Sequence, residues 1–175
     1  MKQLCKSLAS FALLIVLLLS LSGCRFVDRL WNTPPTYSKV ELFFEQDKAE
    51  LYLITDYMIE SGVTDLYVYE DCSTALADLE EIEIDDETVV ETLKRLKEKG
   101  YTGINKYGNT IQFQLWSGIR DISCGLAYLV EDGEIAIQYV TETEPLPENG
   151  WFYYVVNYNE WRSQKATEAG ASCAP

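Results

Sequence analysis

The feature that most constrains this chain is a change of hydrophobic period at Gly100. Before it, apolar residues recur every three or four positions. After it they alternate with polar ones. A period near 3.6 lines one face of a helix, and a period of two lines one face of a strand. Both helices therefore lie before Gly100, with one strand between them, and a run of strands follows it. The expected class is α+β, with two helices packed on a mainly antiparallel β-sheet of about five to six strands.

The first helix is expected over Val40–Glu60, where Phe44, Leu51, Ile54 and Met58 share a face and Gly62 ends it. Val63–Tyr69 is β-branched and aromatic and reads as a strand. The second helix, Asp86–Lys99, is the best marked. Asp85 is its expected N-cap, with acids following at the positive end of the dipole. Ile84 and Val89 flank the cap as a staple, and Val89, Leu93 and Leu96 form the stripe. Lys94, Arg95, Lys97 and Lys99 crowd the last turns before Gly100.

Residues 101–116 read as a hairpin turning at Tyr107-Gly108-Asn109. Ile122–Val130 is the next strand. Asp132-Gly133 marks a tight hairpin turn leading into a strand at Ile135–Thr143. A loop at Pro145–Gly150 precedes the last strand, Trp151–Tyr158. The single domain is expected over 39–162. Residues 24–38, with Pro34-Pro35, read as an extended tether, and the small polar stretch 163–175 as a disordered tail.

Residues 1–23 have the layout of an export signal. Lys2 and Lys6 are followed by the apolar run Phe11–Leu21 and then by Leu21-Ser22-Gly23-Cys24. The uncharged stretch Ser7–Gly23 is at the short end of the ~20 residues that span a bilayer. The tetrad resembles the lipobox of bacterial lipoproteins in all four positions. The resemblance implies cleavage between Gly23 and Cys24 and lipidation of the Cys24 thiol. Acyl chains there would tether the chain to a membrane leaflet, at about 0.8 kcal/mol per buried CH₂. The implied location is extracytoplasmic, lipid-anchored to a bacterial cell membrane, inner or outer undetermined. Arg25 is not the Asp that, in Gram-negative lipoproteins, favours retention at the inner membrane.

Charge and composition exclude several functions. There are 28 Asp+Glu against 14 Lys+Arg, a net of −14, which argues against a nucleic-acid partner. The leader would take two lysines and no acid with it, leaving the body more acidic still and repelled by anionic lipid. Histidine is absent altogether, so no Ser-His-Asp triad, Cys-His pair or HExxH zinc site can form. No phosphate-cradling loop or Ser-x-x-Lys pair is present. No cofactor, metal or catalytic residue is expected.

The remaining candidates are few. In an oxidising compartment Cys72 and Cys124 are a possible disulfide, with two buried free thiols as the alternative. The acids from Asp78 to Glu91 lack EF-hand spacing and read as a solvated face. Glu41, Glu45, Asp121, Glu142 and Glu144 are the carboxylates from which a glycosidase pair would have to come. Aromatic residues gather near the C-terminus, and on a strand Trp151 and Tyr153 face opposite to Phe152 and Tyr154. One of these faces packs on the helices. The other is either covered by loops or forms an aromatic binding face, for which Trp116, Trp151 and Tyr153 are the candidates. The expected function is that of a non-catalytic binding or interaction module, tethered through Cys24, with an envelope protein or glycan as partner. The alternatives are a small carboxylate-dependent hydrolase of envelope polysaccharide and a toxin-neutralising lipoprotein.

Overall fold

The computed structural model describes residues 34–68, 71–118 and 122–171. Gly23, Cys24, Asp121 and Cys173 lie outside the described residues, as does all of the leader. The described chain runs from Pro34 as one compact unit.

Its elements are α1 (Tyr37–Ser61), β1 (Asp65–Leu66), β2 (Thr74–Ala77), β3 (Glu80–Glu83), α2 (Glu87–Lys99), β4 (Gly103–Tyr107), β5 (Thr110–Ser117), β6 (Ile122–Leu129), β7 (Val140–Pro145), β8 (Trp151–Asn157) and α3 (Tyr158–Ala171). The strands form one sheet in the order β3-β2-β1-β4-β5-β6-β8-β7. Every neighbouring pair is antiparallel. The α+β class holds, but the sheet has eight strands rather than five or six.

The two extra strands are β2 and β3. β2 (Thr74-Ala75-Leu76-Ala77) holds small residues and a single leucine without an aromatic, and β3 lies in the acidic segment, whose charges mask any apolar alternation. Asp78 and Leu79 form the two-residue loop between them, both with positive φ (50° and 68°). That is the geometry of a type I′ turn, whose twist suits a hairpin. The acids from Asp78 to Glu91 are all exposed, as expected of a solvated face. Glu80, Glu81 and Glu83 stand on the sheet's edge, where like charge opposes pairing with another strand.

Both expected helices form. The buried face of α1 holds Val40, Phe43, Phe44, Leu51, Ile54 and Met58, and Gly62 closes it at φ 72°. The helix starts at Tyr37, inside the expected tether. Pro35 is buried, and its carbonyl accepts a hydrogen bond from the Tyr153 hydroxyl at 3.2 Å. The end of the tether is thus part of the body. Asp86, one residue beyond the expected cap, caps α2 by accepting from the amides of Thr88 and Val89. Gly100 closes the helix in the left-handed region, its amide donating to the carbonyls of Leu96 and Lys97.

One face of the sheet packs on α1 and α2. Cross-strand register places Phe113, Leu126 and Tyr153 in one row, and Tyr128 opposite Trp151. Trp151 sits at the centre, with Phe44, Tyr52, Phe113 and Tyr128 around it at ring-centroid distances of 5.0, 5.6, 5.6 and 5.1 Å. A bulge between Gln114 and Trp116 turns Trp116 to this same side, opposite Cys124.

Two expectations fail here and one open alternative is decided, each for an identifiable reason. The Asp132-Gly133 hairpin does not form. β6 pairs with β8, and β7 lies outside β8 at the edge. The register turns Glu142 and Glu144 toward the helix-packed side, and a central strand would bury them there. β8 presents Trp151 and Tyr153 on that side instead. The Cys72–Cys124 disulfide is absent, and both are buried free thiols. Four strand spacings separate β2 from β6, roughly 19 Å, against a Cα separation of at most about 7 Å for a bridge. Burial raises the thiol pKa of both, that of Cys124 to about 12. Finally, the disordered tail expected from Ser163 is helical to Ala171. Asn157 starts this helix, its side-chain oxygen accepting from the Glu160 amide at 3.1 Å and its amide donating to the Glu160 carboxylate at 3.1 Å.

Candidate functional site

The aromatic face expected from Trp116, Trp151 and Tyr153 does not exist as a surface. All three side chains are buried on the helix-packed side. Strand alternation leaves their exposure open, since it says that two faces differ but not which one the helices cover.

The opposite face carries the concave feature. Gln112 on β5, Ser123 on β6, Val156 on β8 and Tyr107 at the end of β4 share that face by register. With Gly108, Ala136, Ile137 and Gln138 they line a cleft of about 440 Å³. Small-ligand sites fall in the range of roughly 300–1,000 Å³. None of these residues is charged, in a chain whose net charge is −14.

The floor is fixed by one hydrogen bond. Tyr154 reaches across β6 toward Gln112, whose Nε2 donates to the Tyr154 hydroxyl at 2.6 Å. The residue facing Tyr154 on β6 is Gly125, which has no side chain to obstruct the ring. A Cβ at Gly125 would come to 2.0 Å from the Phe113 carbonyl oxygen, so the close approach of β5 and β6 here requires glycine. Tyr154 is fully buried, and burial pushes its hydroxyl pKa well above the usual tyrosine range. It therefore stays a neutral phenol.

The wall is the segment from Val130 to Tyr139, which the Asp-Gly signal had placed in a hairpin. It lies along the open face, pinned at several points. Val130 donates its amide to the Asn109 carbonyl at 2.8 Å, and the Asn109 side chain donates to the Glu131 carbonyl at 3.3 Å. The Ala136 amide donates to Thr110 Oγ1 at 2.9 Å. At its end Tyr139 takes φ 60°, unusual for a residue with a bulky side chain. Its ring meets Tyr158 and Trp161 edge-on, both at 5.0 Å, and its carbonyl accepts from the Asn157 amide at 3.2 Å. The first turn of α3 thus clamps the strained end of the wall.

Among the described residues, the carboxylates of the alternative hydrolase reading do not assemble around this cleft. Glu41 and Glu45 lie on α1, and Glu142 and Glu144 on the edge strand β7. Glu41 and Glu144 come near Tyr37, whose hydroxyl pKa is raised by desolvation and by both acids, and which donates to the Pro145 carbonyl at 3.0 Å. No carboxylate among the described residues lines the cleft. Among the described residues no group of three or more acids or cysteines is placed to hold a metal ion, and no helix is long and apolar enough to cross a membrane.

Sequence reasoning missed Gln112, Ser123, Gln138 and Tyr107 because each has an ordinary polar-face position in an alternating strand or loop. Comparison with protein families, curated proteins and solved structures gives no match. The site is accordingly read from its own geometry.

Proposed function

We propose that this chain is a membrane-anchored extracytoplasmic lipoprotein whose body is a non-catalytic binding module. The observation that carries the anchor is the tetrad Leu21-Ser22-Gly23-Cys24 after a basic and then an apolar stretch. A thiol lipidated there would leave a short Pro-containing spacer before the body, which begins packing at Pro35. Binding without chemistry is supported by the cleft, whose described lining supplies amides, a hydroxyl and a ring but no carboxylate, basic group or activated nucleophile.

The exposed acids of β3 favour a second reading for the same tethered body, in which a basic protein such as an incoming toxin is its partner. Metabolic labelling with a palmitate analogue tests the anchor. The wild-type chain is expected to take up label and the Cys24→Ser variant none. Equal labelling of both, or of neither, contradicts the reading.

A further inference from the structure

The geometry points to an uncharged saccharide as the ligand of the cleft between the outer sheet face and the 130–139 wall. This inference deepens the binding-module reading and rests on it. Three features of the site converge on that chemistry.

The first is the absence of charge. Among the described residues the lining, with Tyr107, Gln112, Ser123, Ile137, Gln138 and Val156, carries no charge to pair with a phosphate, an ammonium or a carboxylate. The second is the mix of groups. Gln112 and Gln138 each offer an amide that can donate and accept, and Ser123 a hydroxyl that does both. A sugar ring presents hydroxyls of the same dual character. The apolar C–H face of such a ring needs a flat partner. Tyr107, half exposed at the cleft's end, supplies one, with Ile137 and Val156 beside it.

The third is preorganisation. Gln112 is held through its Nε2 by Tyr154, and its Oε1 makes no hydrogen bond among the described residues. The wall carrying Ile137 and Gln138 is fixed at Ala136 and Tyr139. A ligand would therefore meet donors and acceptors already in place, which lowers the entropic cost of binding.

The test is a titration of the isotope-labelled full-length protein, in a detergent without a sugar headgroup, followed by amide NMR. Cellotriose, maltotriose and chitotriose are the neutral probes, and trigalacturonic acid is the charged control. At least one neutral probe is expected to shift the resonances of Gly108, Gln112, Ser123 and Gln138 in a saturable way, with the charged probe far weaker. Tyr107→Ala and Gln138→Ala both change exposed residues, so the fold should survive them. Each should weaken binding about tenfold, as loss of one stacking surface or hydrogen bond does. Absence of saturable shifts with all three neutral probes overturns the inference. So do shifts outside the cleft, equal binding of the charged probe, or unchanged affinity in both variants. The lipid anchor plays no part in this titration, so palmitate labelling can succeed while the titration fails, and the reverse.

Discussion

Asp47 is almost wholly buried on α1, and its neighbours account for a carboxylate in that position. Lys99 Nζ lies 3.0 Å from Asp47 Oδ1 and 2.8 Å from Glu50 Oε1, and the Tyr101 hydroxyl donates to Asp47 Oδ2 at 3.0 Å. The end of α2 is thereby tied to the middle of α1. Desolvation pushes the Glu50 carboxyl pKa up, but the Lys99 hydrogen bond and the charges of Lys99 and Arg95 help hold it below its ordinary value of 4.5. Desolvation likewise pushes Lys99 down, and its bonds to Glu50 and Asp47 keep it above 10.5. For Glu50 the folded pKa is depressed. Its stabilisation is complete above the unfolded value and lost as pH falls through the folded one. For Lys99 the folded pKa is raised, so its stabilisation is complete below 10.5 and lost at higher pH. Urea unfolding should show Glu50→Gln less stable than wild type at neutral pH, with the gap shrinking below about pH 4. A gap constant from neutral to acid pH contradicts this role. None of the network was legible in the sequence, where Asp47 and Lys99 are separated by three strands and look like ordinary helix-surface charges.

Among elements, legibility followed how local the deciding force was. α2 was read to within one residue because its cap, stripe, basic last turn and Gly100 all lie within the segment. The Gly108 turn between β4 and β5 was equally local. β7 was misplaced because its pairing is decided by a competitor, β8, whose Trp151 and Tyr153 fill the core that Glu142 and Glu144 cannot. The helix at 158–171 was overlooked although Asn157-Tyr158-Asn159-Glu160 holds a cap pattern, since small polar composition outweighed it in the reading. The β2–β3 turn also shows where local sequence and structure disagree. Leu79 is 89% exposed and sits at φ 68°, a conformation that costs a residue with a Cβ about 1–2 kcal/mol. Leu79→Gly should therefore raise stability, by up to about 1 kcal/mol after glycine's greater unfolded entropy is counted. Thermal or urea unfolding measures it, and a clear loss of stability would show that the turn does not need glycine's freedom.

At the scale of the whole molecule, two faces of one sheet are used differently. The face toward α1 and α2 buries the aromatic residues that most resembled a binding surface. The face away from them, crossed by the 130–139 segment, keeps small neutral polar groups around a cleft. Alternation made the existence of two faces readable, but the assignment of helices to one of them depends on the joint packing of Phe44, Phe113 and Trp151, which are far apart in sequence. The expected leader is the reverse case. Its basic, apolar and Leu-Ser-Gly-Cys zones are contiguous, so its reading needs no tertiary information. In the proposed reading Cys24 would hold the body at a membrane. Intact mass spectrometry of the natural protein from a membrane fraction tests that most directly. The expected mass is that of a chain beginning at Cys24 with acyl groups attached, whereas an unacylated chain, or one still carrying residues 1–23, would contradict the anchor.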